Sequence, residues 1–215
     1  MRVSIIKKVL ASTLAVALVA SPVLNVEASC GTSSNLSAST VVAQAAEAAG
    51  VTVEEIPTTS SVAGVTTSVT GIYLATKVDG TAITTPMANI ATGYGLASNE
   101  KAFAKFSNMD AKKSYLANAC LVAGAASQNA ILGPCVNIEL GKMTSGHYSL
   151  LPTTGAAIRI SIGIPASFAQ DGHTYAMVRV REGGIIDILK DVDTNPNTIT
   201  FDTTGGAGAY AIIKY

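Results

Sequence analysis

The chain has 215 residues, of which 48% are apolar, with 14 basic and 14 acidic side chains and no tryptophan. A formal charge of zero gives no basic surface for a phosphate backbone, so nucleic acid is excluded as an expected partner. The high apolar and low charged content are typical of a folded chain and exclude a disordered one.

The first 28 residues have the pattern of a secretory signal peptide. Arg2, Lys7 and Lys8 precede an apolar run over residues 9–20, and Val26-Glu27-Ala28 has the character of a cleavage site. The run is shorter than the ~20 residues that a membrane span needs. The sequence therefore predicts a secreted or extracellular protein, free or associated with the cell surface, with no transmembrane segment after cleavage.

An alternative processing route starts at Cys30, which would be the lipidated residue of a lipoprotein. Glu27 stands where an aliphatic residue is expected for that route. Cleavage after Ala28 is the prediction, and it leaves eleven basic against thirteen acidic residues, a net charge of −2.

Residues 29–61 read as a loose lead-in that contains a short helix. The first part is rich in serine, threonine and glycine, which is typical of a linker. Thr40–Ala49 has alanine and valine at helical spacing, and Gly50 stands where a left-handed C-cap is expected.

Residues 62–155 predict a β lobe with an inserted helix. Val65–Lys77 and Thr81–Thr85 flank Asp79-Gly80, a hairpin signal, and two later segments again alternate apolar and polar residues, at 101–106 and 135–140. Between them, Ser107 with Asp110 forms a variant of the capping box. A helix is therefore expected from about 110 to 130.

Residues 156–215 predict a self-contained antiparallel cassette, or one domain together with 62–155. Its strand candidates cover 158–164, 173–181, 185–189, 198–202 and 209–215, joined by short turns. Short turns favour antiparallel pairing, because parallel neighbours need a long crossover. The fold class expected for the whole chain is mainly β (α+β): an antiparallel β-sandwich-like fold with one packed helix and the short N-terminal helix.

The closing part of the chain resembles a known type of module. Ile164–Phe168, Gly172–Val180, Asp191–Thr200 and Tyr210–Ile212 occur in the order found in the C-terminal β module of many secreted and surface proteins of Gram-positive anaerobes. The resemblance implies an extracellular, β-sandwich-like accessory and supplies no catalytic residues.

Cys120 and Cys135 predict a disulfide, because export places them where disulfides form. Such a bond would contribute roughly 3 kcal/mol on the loop-entropy description. The alternatives are two separate thiols or a metal site. Zinc needs more ligands than two cysteines, and His147 and His173 lack ligand spacing, so no metal is predicted there.

Leu151–Gly155 matches the LPxTG pentapeptide of sortase substrates. A sorting signal needs a membrane-spanning stretch and a basic tail directly behind it, whereas Arg159 and a long β pattern follow here. The pentapeptide is therefore predicted to be an ordinary loop.

A weak calcium candidate has oxygen side chains at alternate positions: Asp191, Asp193, Asn195 and Asn197. Pro196 stands where such loops place glycine, and no closing glutamate follows. A turn rich in Asp and Asn gives the same composition, so the prediction is no metal and no cofactor.

The residue types of a hydrolase triad occur, at Ser145, His147, Ser149, Asp171 and His173, but no serine lies in a G-x-S-x-G elbow. The chain is therefore predicted not to be an enzyme, and a hydrolase is the third hypothesis. The first is an exported, non-catalytic structural or adhesive module whose ligand is open: surface glycans or other extracellular proteins.

The second hypothesis is a carbohydrate-binding module, since aromatic rings on an exposed face can stack on sugars. The ring candidates are Tyr73, Tyr94, Tyr115 and Tyr148. Association through a sheet edge is a further possibility. Lys214, Arg179 and Arg181 would discourage it if they lay on that edge.

Overall fold

The computed structural model describes residues 72–110 and 113–215, all within one unit. The predicted signal peptide, Cys30, the helix at Thr40–Ala49 and most of the first hairpin strand lie outside this range. The described part contains ten strands and two α-helices. They are, in chain order, β1 Tyr73–Thr76, β2 Thr81–Ile83, α1 Met87–Tyr94, β3 Glu100–Asn108, α2 Tyr115–Ser127, β4 Ile131–Thr144, β5 His147–Leu150, β6 Ile158–Gly163, β7 Tyr175–Arg181, β8 Ile185–Lys190, β9 Thr198–Thr203 and β10 Gly206–Lys214.

The strands form two sheets. The larger has the order β1-β3-β4-β10-β7-β8, and β5 pairs with the far end of β4, beyond β10. The smaller has the order β2-β6-β9. All pairs are antiparallel except β1 with β3.

The central strands of the larger sheet are buried on both faces. On β10, Tyr210 and Ile212 face a core shared with the smaller sheet, whereas Ala209, Ala211 and Ile213 face a second core under α2. Strands β4 and β7 divide their side chains in the same way. Because successive strand residues point to opposite faces, a nearly continuous apolar run can serve both cores. The result is three layers: small sheet, large sheet and helix.

Small residues let α2 lie close to the sheet. Ala176, Ala209 and Ala211 form much of the sheet surface under it, and Gly124 faces that surface. A Cβ added to Gly124 would lie 2.6 Å from Val178 Cγ1 and 3.0 Å from Ile186 Cγ2.

We therefore expect Gly124→Ala to destabilise the protein although alanine is the better helix former. Overpacking costs about 1–3 kcal/mol, against a propensity gain of about 1 kcal/mol. Urea denaturation should show a lower unfolding free energy. Ala123→Gly, on the exposed side of α2, is the control for propensity alone. A clear stabilisation by Gly124→Ala would contradict the close approach.

The mainly β, sandwich-like fold is confirmed, and so is the helix predicted at about 110–130, within narrower bounds. The hairpin predicted across Asp79-Gly80 is wrong: β1 pairs with β3, and β2 pairs with β6 in the other sheet. Helix α1 was not predicted.

The closing cassette is not self-contained. Strand β10 lies between β4 and β7, and β6 with β9 completes its sheet with β2. The cassette thus contributes strands to both sheets and shares each with the preceding lobe. Among the described helices, none has the length and apolarity needed to cross a membrane.

Candidate functional site

A polar cleft of about 820 Å³ lies at one end of the sheets. Its walls are the loop 169–175 and the loop 190–198, and Tyr215 stands at its rim with 48% of its surface exposed. The cleft is open and lined by hydroxyl, amide, carboxylate and imidazole groups. Such a surface offers hydrogen bonds to a polar ligand.

The second loop is a series of Asx turns. Asp191 Oδ1 accepts from the backbone N–H of Asp193 at 3.2 Å, Asp193 Oδ1 from that of Asn195 at 2.7 Å, and Asn195 Oδ1 from that of Asn197 at 3.0 Å. Each side chain thus fixes the backbone two residues further on. These turns account for the alternating oxygen residues that suggested calcium.

The carboxylates of this loop are also tied to β9. Asp191 Oδ1 accepts from Thr200 N at 2.9 Å, and Asp193 Oδ2 accepts from the hydroxyls of Thr198 and Thr200. Burial raises the pKa of Asp191, and the Asp193 charge adds to the rise, against the N–H groups that lower it. Over residues 72–110 and 113–215, no three His, Cys, Asp or Glu side chains are grouped to hold a metal.

The candidate tyrosines are distributed over different surfaces. Tyr94 belongs to α1 and packs on the core shared by the two sheets, whereas Tyr115 begins α2 on the other face of the large sheet. Tyr148 lies exposed on β5, with its ring centroid 5.1 Å from that of Phe103. The side chain of Tyr73 lies outside the described structure. Tyr94, Tyr115 and Tyr148 therefore do not form the shared face that the sugar-binding hypothesis needs.

Tyr94 has a structural role. Its hydroxyl donates to the carbonyl of Ala156 at 2.6 Å and accepts from the N–H of Gly205 at 2.8 Å. Burial raises the pKa of Tyr94.

Tyr215 was not among the predicted ring candidates for sugar stacking. Nothing in the sequence indicates that this tyrosine lies beside a polar loop.

The LPxTG pentapeptide is part of the packed structure. Leu151 is buried and its N–H bonds to the carbonyl of Leu140 at 3.0 Å. Gly155 lies under the Tyr94 ring, and Gly205 lies against Leu151. Close packing explains the glycine at position 155.

The hydrolase residue types are far apart. His147 begins β5 and pairs with Thr144 at the end of β4. His173 lies near Lys214, and Lys214 pairs with Ile131 at the start of β4. The two ends of β4 are thirteen residue steps apart, which corresponds to roughly 40 Å for an extended strand. Ser145 and Ser149 lie at the same end of β4 as His147, and Asp171 lies at the same end as His173. The residues of the supposed triad therefore do not meet at one site.

A charged cluster ties β7 to β8. Arg179 Nε and Arg181 Nε donate to the same Asp187 oxygen at 3.0 and 2.8 Å. Arg179 also donates to Thr203 Oγ1 at 2.7 Å, which lies 2.9 Å from the Tyr210 hydroxyl. The hydrogen bond from Arg181, with that from Arg179, holds the pKa of Asp187 below its usual range.

Both arginines of this cluster lie on β7, an inner strand of the larger sheet. Lys214 lies on β10, also inner, where it is buried and donates to the Phe168 carbonyl and the Gln170 side chain, both at 3.1 Å. Arg179, Arg181 and Lys214, which would discourage association through a sheet edge, therefore do not lie on an edge strand.

The predicted disulfide is wrong. Cys120 and Cys135 are both free thiols at the interface between α2 and the large sheet. Cys135 is buried within the sheet, and its thiol is 3.5 Å from the Gly133 carbonyl. Cys120 instead lines a groove of about 420 Å³ beside α2. The separation of the two cysteines along the chain is compatible with a disulfide. In the structure both instead pack at the interface between α2 and the sheet as apolar side chains.

We expect alkylation to distinguish the two thiols. Burial raises the pKa of Cys135 to about 12 and also raises that of Cys120. Because the thiolate is the reactive form, iodoacetamide at neutral pH should label Cys120 slowly and Cys135 only after unfolding. Peptide mapping by mass spectrometry measures both. A peptide with Cys120 joined to Cys135 in the native protein would contradict the assignment.

The described residues define a three-layer α+β protein whose polar side chains largely hold loops and strands together. Comparison of the chain with protein-family models, with curated proteins and with solved structures gives no match.

Proposed function

We propose that the chain is an exported, non-catalytic structural or adhesive module that acts in the medium or at the cell surface. The observation that carries the proposal is that His147 and His173 lie at opposite ends of β4. Acid–base catalysis needs such groups within hydrogen-bond reach of one substrate. Here each histidine lies at a different end of the sheet.

The signal-peptide pattern of residues 1–28 supports export. The internal use of polar groups supports a structural role, since Tyr94, Asp191 and Asp193 all bond within the fold. Other extracellular proteins and surface glycans are the proposed partners.

Export is tested by expressing the full chain in a secreting bacterial host and separating cells, wall and medium. We expect the protein in the wall or medium fraction, with Ser29 at the mature N-terminus by mass spectrometry. A chain held inside cells with its first 28 residues intact would contradict export, and an acylated Cys30 would contradict cleavage after Ala28. Immobilised mature protein should then bind whole cells without consuming surface polymer.

Carbohydrate binding is the second candidate, and the polar cleft favours it. Tyr215 at the rim could stack on a sugar while the loop amides bond its hydroxyls. A glycan array identifies a ligand, and titration calorimetry compares variants. Tyr215→Ala should weaken glycan binding about tenfold or more, because stacking and buried ring area are both lost. Tyr148→Ala, which removes an exposed ring on β5, should leave it unchanged. Equal effects of the two substitutions would contradict binding in the cleft.

A further inference from the structure

The larger sheet carries a groove of about 420 Å³ beside α2. Its floor follows one row of directly paired residues across four strands: Ser107 on β3, Asn137 on β4, Ala209 on β10 and Val180 on β7. Paired residues point to the same face, and Ala209 and Val180 belong to the core under α2. Three inter-strand spacings make the row about 14 Å long. The groove is therefore a channel across the sheet, apolar at β10 and β7 and polar at β3 and β4.

The helix beside the groove is apolar on every side. Between Tyr115 and Ser127 it has no charged residue, and Leu116, which lines the groove, is 43% exposed. Within the described residues, the core under α2 accounts for one side of the helix only. A helix that is apolar all round is normally buried all round. The groove with Leu116 is therefore a surface suited to a further apolar element.

The chain before the described range contains a segment of matching character, the helix expected at Thr40–Ala49. At helical spacing one side of it is apolar: Val41, Val42, Ala45, Ala46 and Ala49. The opposite side is polar: Thr40, Gln44 and Glu47. A helix this short is marginal in water without packing. Ten helical residues are about 15 Å long, which matches the length of the groove.

The described chain begins close to the groove. Tyr73 at the start of β1 pairs with Phe103 of β3, four residues before Ser107 at the groove. That separation is about 13 Å along the strand. Residues 50–71 connect the expected helix to this point, and an extended chain of that length spans up to about 70 Å. The connection is therefore long enough for the helix to reach the groove.

The size of the groove favours a tethered segment over a separate chain. A strip about 14 Å long and as wide as one helix, about 10 Å, has a footprint on the order of 140 Å². Stable interfaces between separate chains cover about 800 Å² on each partner. A tethered segment needs less area, because its connection keeps its effective concentration in the millimolar range.

We propose that residues 40–49 form a helix that docks in this groove and continues the layer of α2 over the larger sheet. Val41 and Val42 then lie against Leu116 and the β10 floor, while Glu47 stays in solvent. The apolar groove and the short apolar-faced helix each gain the packing that they lack alone.

The test measures how fast iodoacetamide labels Cys120 in residues 29–215, with peptide mapping by mass spectrometry. Cys120 lines the groove, so a docked helix shields its thiol. Val41→Gln combined with Val42→Gln should raise the labelling rate about tenfold or more, because the buried apolar surface that holds the helix is lost. No charge is added near the thiol. The matched control, Thr40→Gln with Glu47→Gln on the polar side, should leave the rate unchanged.

Cys135 shows that each variant is folded, since its buried thiol should stay unlabelled in the native state. Three results would overturn the proposal. One is a Cys120 rate that the valine variant leaves unchanged, and another is an equal increase in both variants. The third is protection of Cys120 that increases with protein concentration, since a second copy would then occupy the groove.

Discussion

Asp187→Asn is expected to lower the free energy of unfolding by about 3 kcal/mol, because it leaves two guanidinium groups near each other without their shared carboxylate. The side chain of Arg179 is 9% exposed, so water cannot replace the lost partner there. Chemical denaturation measures the change.

The matched control is Asp202→Asn. Asp202 also pairs with an arginine on a neighbouring strand, Arg159, at 2.8 Å, but these side chains are more exposed, at 39% and 49%. Exposed pairs contribute at most about 1 kcal/mol. Equal losses in the two variants would contradict the role given to the Arg179–Asp187–Arg181 cluster.

Comparison of the wild type with Asp187→Asn also gives a prediction for the pH dependence of stability. The folded-state pKa of Asp187 is lowered, chiefly by the hydrogen bond from Arg181. Its stabilisation is therefore complete above the usual carboxyl pKa of about 4 and is lost as pH falls through the lower folded value. The difference between wild type and Asp187→Asn should be constant from pH 5 to 7 and shrink below about pH 4. A difference that grows on acidification would contradict this sign.

Gly155→Ala is expected to cost about 2–4 kcal/mol, from overpacking and from the loss of hydrogen bonds. A Cβ at position 155 would lie 1.9 Å from Tyr94 Cε1. The ring would have to move, and its hydroxyl would leave the Ala156 carbonyl and the Gly205 N–H. Thermal and urea denaturation both report the loss.

Two further variants separate the causes. Tyr94→Phe removes the hydroxyl without a clash and should cost about 1–3 kcal/mol, because the Gly205 N–H loses its acceptor. Thr154→Ala, at an exposed neighbouring position, should change stability by less than about 0.5 kcal/mol. If Gly155→Ala were as mild as Thr154→Ala, the packing of the pentapeptide against Tyr94 would be wrong.

The sequence predicts the strands of this fold well, because their two-residue period reports burial directly. Residues 158–164 alternate and contain β6, and 101–106 alternate and lie within β3. Helix α2 was predicted from the Ser107–Asp110 pattern, and it begins a few residues later, at Tyr115.

Strand pairing could not be read from the same pattern. Asp79-Gly80 has the chemistry of a hairpin turn, yet its flanking strands go to different sheets. Alternation identifies which face is buried but not which strand lies alongside. The inner strands β4, β7 and β10 serve two cores, and that follows only from the order of the sheet.

The candidate site was predicted in part. Asp191, Asp193, Asn195 and Asn197 were identified as an oxygen-rich turn, and they do line the cleft. Their internal bonding was not predictable as such, because a cation loop and a series of Asx turns share one composition. The disulfide predicted between Cys120 and Cys135 was wrong for a similar reason. The separation of two cysteines along the chain does not determine the directions in which their thiols point.

The most direct test of the shared-sheet architecture is the behaviour of residues 156–215 expressed alone. In the structure, β10 needs β4 beside it, and β6 needs the core that the larger sheet provides. We therefore predict that the fragment has a poorly dispersed amide NMR spectrum and no cooperative thermal transition, whereas residues 72–215 show both dispersion and cooperativity. A dispersed spectrum with cooperative unfolding of the fragment would contradict the account.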